Sequence, residues 1–534
     1  MAESRVEYCT KRLAYLEDRR KPWETAWDKA AEMCAVNSKI YIKDVRARIV
    51  PKNFDSTGRN ALTCFSAAMK SVLVPSNSKW HGLAPENPRL EQSYKSKSYV
   101  EYMNNMLFKV RYSPSSNFSS EADLHLNQLG IYGVSPWFVD EEIGKGIFYK
   151  AIPMAEMYCD ANKKGRIDVN YRVYEITLRQ AIKEFGARAT SKMKEKFDKT
   201  PDAKVRLLHV VEPREDRNPK RKDYTGMAFV SYHVNLDDNE LIYESGYRTQ
   251  PYMTPHYLGI PGEIYGDSPA LQAACDMLTI NEMAKTTLRA GQRQVDPPLL
   301  TVEGLVNASR AGTAGAIISG AVDSQGKPKI IPMQYAGNLP LTLEMQNQVR
   351  QVIETAFLKP FFLSLTNDKN MTAEEARLRD AEKSMLLAPM GERIANEWLN
   401  GMIEREIDIL SQYGYFDDVP DELYYNGALE IKYQSPLVKM QESGAIMAIY
   451  KTIEAGLAIG QNDPAIFDMI NFPKAFEHIA NYNGSPTDIL LPPEVAAQKG
   501  EMRVQREQAQ MMLDAAPVLS QSMKNLGVTG GDNV

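Results

Sequence analysis

The side chains best suited to chemistry are thinly spread along the chain. Six histidines, His81, His125, His209, His233, His256 and His478, could act as general bases or metal ligands, but no two lie at the spacing of a zinc site or a helical H-E-x-x-H motif. Each therefore reads as structural. Five cysteines, Cys9, Cys34, Cys64, Cys159 and Cys275, are odd in number and include no C-x-x-C pair, which predicts reduced, mostly buried thiols and no disulfide framework. No G-x-x-x-x-G-K-[ST] loop and no G-x-S-x-G elbow occurs, and Gly312, Gly315 and Gly320 are too far apart to cradle a phosphate. The sequence thus assigns no catalytic residue, no metal ligand and no cofactor. One enzymatic alternative stays open, a cytosolic α+β hydrolase whose Asp/Glu acid pair is assembled from distant positions in a sheet domain.

Spacing does single out two other groups. Lys285, Arg289 and Arg293 recur every four residues and make a basic stripe on one helix face. Such a stripe can complement the negative C-terminal end of the helix dipole in solvent, or it can face DNA or an acidic neighbouring subunit. Further on, Thr372 and Glu375 form a T-x-x-E capping box, which satisfies two free N–H groups and fixes a helix start. The stretch around it, "NMTAEEARLRDAEKS", offers a core only Ala376, Leu378 and Ala381 among seven charged side chains. That composition predicts a helix lying beside copies of itself, with Glu375 and Arg379 also spaced to pair within it.

The elements that must position these groups are legible from period and punctuation. Residues 5 to 35 predict a helix with Leu13, Leu16, Trp23, Trp27, Ala31 and Cys34 on one face and an interruption at Pro22. A second helix follows Asp55 or Ser56 through Leu62, Phe65, Met69, Val72 and Leu73, and stops before Pro75. From about 134 the texture becomes that of strands: "GIFYKAI", "IDVNYRVYEI", "VRLLHVV" and "MAFVSYHV" predict a half-buried antiparallel sheet, with Ile167, Val169, Tyr171 and Val173 alternating with polar neighbours. The loop "EPREDRNPKRKDY" carries five basic and four acidic residues and reads as a solvated hairpin loop.

Ser268 and Pro269 predict the cap and first turn of a helix running to about Gln294, ended by "VDPPLL", with Leu271, Ala274, Cys275 and Leu278 as its apolar stripe. Residues 299 to 340 are rich in Gly, Ala and Ser, with "GAIIS" and "KPKIIPM" as small strands, an excursion between two helices. A helix through Val349, Val352, Ile353, Ala356 and Phe357 follows and is ended by Lys359-Pro360. After a loop, the helix capped by Thr372 continues to about 412 with a kink at Pro389. Residues 436 to 460 predict a helix pair broken at glycines, 493 to 524 a marginal helix, and "GVTGGDNV" a disordered end.

A chain of 534 residues, 43% hydrophobic and 25% charged, exceeds one hydrophobic core and predicts several subdomains. Its net charge of -5 argues against a protein that grips nucleic acid through many phosphate contacts. A charged N-terminus without an apolar run predicts no signal peptide and no membrane span, hence a protein made and kept in cytosol.

The stretches "NFDSTGRNALTCFSAAMKSVLVPSNSKWHGL", "YRVYEITLRQAIKEFG", "ESGYRTQPY", "GEIYGDSPALQAACDMLTINEM", "VDPPLLT" and "MTAEEARLRDAEKSMLLAPMGERIANEWL" resemble, in order and spacing, the head-to-tail connector or portal proteins of podoviruses similar to phage T7. The resemblance spans about residues 20 to 415 and contains no catalytic signature. It implies an α+β, mainly helical portal-type fold. Its parts would be a wing of helices and antiparallel sheet (1–262), a stem helix (263–294), a clip (295–340), a returning stem helix (341–358), a tunnel loop (359–371), a long kinked helix with the rest of the wing (372–480), and a C-terminal helical crown or barrel with a disordered tail (481–534).

The resemblance further implies a ring, usually of twelve subunits, at one capsid vertex of the virion, assembled in the host cytoplasm, through which double-stranded DNA is packaged and ejected. Implied partners are the major capsid and scaffolding proteins, the terminase large subunit, the tail adaptor and internal core proteins, with no membrane. Within the tunnel loop, Lys359, Asn367, Asp368, Lys369 and Asn370 are the candidates to face DNA.

Overall fold

The computed structural model describes residues 4–34, 53–87, 90, 93–142, 146–295, 297, 299–301, 322–332, 339–363, 390–426, 429–433, 436–460, 470–482, 495 and 498–510. The chain divides into two compact units, one comprising Met1–Trp80, Met106–Asp417 and Ser435–Leu437, the other His81–Asn105, Asp418–Gln434 and Val438–Val534.

The larger unit is built around a five-stranded antiparallel meander. Its helices and strands, in chain order, include α1 (Arg5–Cys34), α2 (Thr57–Leu73), α3 (Phe118–Tyr132), β1 (Trp137–Glu142), β2 (Gly146–Ala151), β3 (Met157–Ala161), β4 (Ile167–Thr177), β5 (Lys204–Pro213), β6 (Phe229–Asn235), β7 (Glu240–Tyr247) and β8 (Tyr252–Met253). Strands β3 to β7 pair in sequence order, and β1 is flanked by β2 and β8 in a second, three-stranded sheet. The predicted alternation is realised in part: Tyr171, with Val169 and Val173, faces a cluster formed by Cys9, Leu13 and Leu16 of α1 with Leu208, Val210 and Val234, but Ile167 is not part of it. The polar neighbours Asn170 and Arg172 are buried too, so the sheet is covered on both faces rather than half-buried. Side chains one position away, Val205 and Leu207, point to the other face against Leu178–Phe185 and Met193.

Ion pairs and hydrogen bonds add to the apolar stripe in joining α1 to this sheet. Arg5 pairs with Glu244, and Arg12 and Arg19 share Asp160. Arg20, only 2% exposed, donates to the carbonyls of Met154, Ala155 and Met157 and stacks on Tyr158. These anchors explain why Pro22 does not interrupt the helix as expected. A mid-helix proline costs about 3 kcal/mol, but Arg20 on one side of it and Trp27, packed edge-on against Tyr265 at 5.1 Å, on the other hold the helix continuous. The sequence period also gave no sign of β1, β3 and β7, which are short or carry no alternating apolar pattern strong enough to read.

The smaller unit contains an antiparallel ladder of His81–Pro85 with Leu429–Tyr433, in register His81↔Tyr433. Ser96 lies 3.5 Å from Glu422 within it. Pro436–Gly460 forms one helix rather than a pair, because neither Gly444 nor Gly456 ends it; a glycine in a helix interior costs only about 1 kcal/mol and need not break it. Phe472–Tyr482 is helical, and so is 498–510, with every side chain of that last stretch exposed.

Candidate functional site

The basic stripe lies on a helical hairpin, and the hairpin's construction is the clearest functional feature of the larger unit. Ser268 caps the first turn by accepting from the Leu271 N–H at 2.9 Å, with Pro269 in the first helical position, as expected. The turn Pro269–Gln272 is then offset at Ala273 before the main helix α4 (Ala274–Val295) begins. A short antiparallel ribbon, β9 (Leu299–Thr301) and β10 (Ile330–Pro332), joins it to α5 (Leu339–Ala356).

The expected apolar stripe of α4 is corrected by one face. Ala270, Ala273, Met277, Ile280 and Ala284 are buried, whereas Cys275 is exposed and Leu278 is 41% exposed. Both sets have helical spacing, so the choice between them comes from elsewhere in the chain. Gly58 lets α2 approach so closely that a Cβ there would stand 2.4 Å from Met277 Sδ, and Cys34 Sγ is 3.4 Å from the same atom. The Phe54 N–H donates to Asn281 Oδ1 at 2.7 Å.

Next to it, Asp55 accepts from the Thr57 N–H at 2.8 Å and from Arg350 of α5 at 2.9 and 3.1 Å. Burial alone would raise the Asp55 carboxyl, but these hydrogen bonds and the guanidinium charge outweigh it and hold it below the usual range. Buried Gln346 donates to Thr287 at 2.7 Å. Asn281 and Arg350 lie at one level and Thr287 and Gln346 at the next, so the two helices are antiparallel. At the foot of α5, Ile353 and Phe357 are fully buried, Phe357 against Phe65 at 6.4 Å.

Beyond Ala284 no residue of α4 is buried. Leu288 is 54% and Val295 88% exposed, and α5 leaves Leu343, Met345 and Val352 about half exposed. In the ribbon, the cross-strand partners Leu300 and Ile331 are both more than half exposed. Large apolar side chains left in water along both helices and their joining ribbon mark a surface made to be covered.

Lys285, Arg289 and Arg293 share this hairpin. Lys285 is paired with Glu282 at 2.9 Å, and Arg289 and Arg293 are exposed. Lys359 does not sit in a loop as expected: Leu358 turns through φ +58°, and Lys359–Leu363 forms a short helix in which the Lys359 ammonium is neutralised by Glu354. Asn367, Asp368, Lys369 and Asn370, and the capping residues Thr372 and Glu375 with the kink at Pro389, lie outside the described residues.

Two buried histidine sites of this unit are held by neighbouring side chains. His125 donates to or accepts from Ser135 at 2.8 Å, and burial pushes its pKa down to about 3. His209 stacks on His233 at 4.2 Å and bonds Tyr252 and Ser231. Among the described residues no group of three or more His, Cys, Asp or Glu is placed to hold a metal, and no helix is long and apolar enough to cross a membrane. The long-range contacts that build the hairpin's foot, Asp55–Arg350 and Gln346–Thr287, left no signal in the sequence that spacing could detect.

Residues 6–490 match the family of bacteriophage head to tail connecting proteins. The chain is 24% identical over 509 residues to a probable portal protein of Bordetella phage BPP-1, covering 93% of this chain and 91% of that protein. It is 23% identical over 540 residues to a portal protein of Salmonella phage epsilon15, covering 99% of this chain and 96% of that one.

Proposed function

The chain belongs to the family of bacteriophage head to tail connecting proteins, and from that premise we propose that it forms a closed ring at one capsid vertex, the portal through which double-stranded DNA enters and leaves. The observation that carries this reading is the hairpin α4–β9–β10–α5, whose foot is locked into the larger unit while its apolar side chains remain in water. Copies of the chain related by cyclic symmetry would cover those side chains, since one heterologous contact repeated around an axis closes without leaving an unpaired surface.

In this reading residues 263–294 and 341–358 are the stem, 295–340 the clip, 1–262 with 372–480 the wing, and 481–534 the crown or barrel. The protein supplies no catalysis; it is a channel and a platform. Capsid and scaffolding proteins, the terminase large subunit, and tail adaptor and core proteins would dock on its different faces. DNA must slide through such a ring, and every cation facing the channel recurs in each subunit, adding counterion-release affinity that would hold the duplex fast. The net charge of -5 per subunit and the pairing of Lys359 with Glu354 support a wall that lets DNA pass. Asn367, Asp368, Lys369 and Asn370 remain the proposed channel-facing groups beside Lys359.

Light scattering after size exclusion, with negative-stain electron microscopy of the purified full chain, tests the reading. Rings of about twelve subunits with an axial hole of roughly 20 Å or more are expected. A compact monomer or dimer at high concentration, with no ring in the presence of scaffolding protein, would overturn it.

A further inference from the structure

A second feature of the larger unit lies away from the hairpin's exposed face. His256 opens the loop 257–267 that leads into the Ser268 cap. Its Nε2 is 2.7 Å from the carbonyl oxygen of Ile264, inside the same loop. Its Nδ1 is 2.8 Å from Glu397 Oε2, and the same carboxylate oxygen accepts the His256 backbone N–H at 2.8 Å. A carbonyl can only accept, so Nε2 carries a proton; with Glu397 ionised, its oxygen can only accept, so Nδ1 carries one too. The geometry is that of an imidazolium bridging loop and helix.

The helix spends regular geometry to make this contact. Ala395–Leu399 is a π turn running directly into α6 (Asn400–Gln412); Trp398 lies wholly in the core while its neighbour Glu397 meets His256 in a cleft that both line. Such π turns concentrate where a side chain must be re-aimed. The loop closes on its own base, with the Asp267 N–H donating to the Leu258 carbonyl at 2.8 Å, while the Tyr257 N–H ties it to the Gly133 carbonyl at 2.9 Å. Leu258 at its base and Ile260 beyond it are more than a third exposed.

We propose that His256 and Glu397 form a proton-operated clasp, which holds the loop 257–267 onto the π turn while the imidazole is charged and releases it when the proton leaves. The charged groups around His256 are Glu397, Arg393, whose guanidinium lies against Gly259, and, lining the same cleft, Asp168, Glu404, Arg166 and Arg248. Burial opposes the charged imidazole, and so does Arg393. The Glu397 carboxylate and the Ile264 carbonyl favour it and prevail, raising the His256 pKa above its ordinary value. The clasp is therefore closed below that raised value and opens as pH rises through it.

The test uses the intact chain. Deuterium uptake at the imidazole carbon of His256, read by mass spectrometry from about pH 5.5 to 9, gives its titration directly, and backbone exchange of 257–267, corrected for intrinsic rates, reports the loop. A titration above about 6.5 is expected, with loop exchange rising about tenfold across it, and E397Q should lower the titration by about a unit or more and leave the loop fast-exchanging at every pH. A wild-type His256 titrating at or below the ordinary value, or loop exchange indifferent to pH, would overturn the clasp without recourse to the variant. E397Q behaving as wild type in both readouts would do so as well.

Discussion

At the scale of single residues, the most consequential contact is buried. Arg111 and Glu406 form an ion pair with side chains 0% and 1% exposed, closed by a hydrogen bond from the Tyr149 hydroxyl at 2.7 Å. The guanidinium also faces the rings of Trp80, Phe108 and Phe118 at 4.8, 5.3 and 5.7 Å. Taking both charges out of water is expensive, and their attraction offsets that cost only while both are present. E406Q should therefore leave a buried guanidinium without its counter-charge and destabilise the protein by about 3–5 kcal/mol. The double change R111M/E406L, which removes both charges, should recover most of that loss. Thermal melting of the three proteins decides it; equal losses in single and double variants would show that packing, not charge balance, governs this site.

At the scale of elements, the two ends of the hairpin make opposite demands. The foot is specified by contacts from α1, α2 and the residues between them. Beyond Ala284 no residue of α4 is buried, and Arg289 and Arg293 are exposed. R289E/R293E should change monomer stability by less than about 0.5 kcal/mol, yet impair ring assembly or packaging. Unchanged melting with fewer rings in light scattering and reduced virion yield is the expected pattern, and unchanged yield would remove the stripe from assembly.

The same contrast explains how much could be read in advance. The Ser268 cap, the alternation of Val169, Tyr171 and Val173, and the stop at "VDPPLL" are local chemistry, so the sequence displays them. Which face of α4 is buried depends on Gly58 and Cys34, more than 200 positions away, and no local rule contains that. Pro22 misled for the same reason: a local preference was overridden by Arg20 and Trp27, whose partners come from other elements. The Asp55–Arg350 pair, separated by 295 positions, was likewise invisible, although each residue is ordinary in its own surroundings.

For the molecule as a whole, buried imidazoles set how stability responds to acid. Burial pushes His125 and His233 down to about 3, Arg188 adding to the effect on His233. Burial, His233 and Arg172 together hold His209 well below its ordinary value. An unfolded chain would protonate all three near pH 6.5. Their folded values are depressed, so these groups cost nothing above about 6.5, and below it the unfolded state binds protons that the folded state refuses. Each then lowers stability by about 1.4 kcal/mol per pH unit, roughly 4 kcal/mol per unit for the three together.

His256 acts in the opposite sense. Its raised value adds stability that is fully present below the unfolded value and is lost as pH rises through the folded one. Stability contributed by histidines should therefore peak near pH 6.5 and fall on both sides, more steeply toward acid. Calorimetric unfolding at pH 6 in two buffers of different ionisation enthalpy should reveal net uptake of about two protons. Uptake near zero would mean that these imidazoles are charged in the folded protein, and that the His209–His233 stack is held by something other than neutral rings in a dry interior.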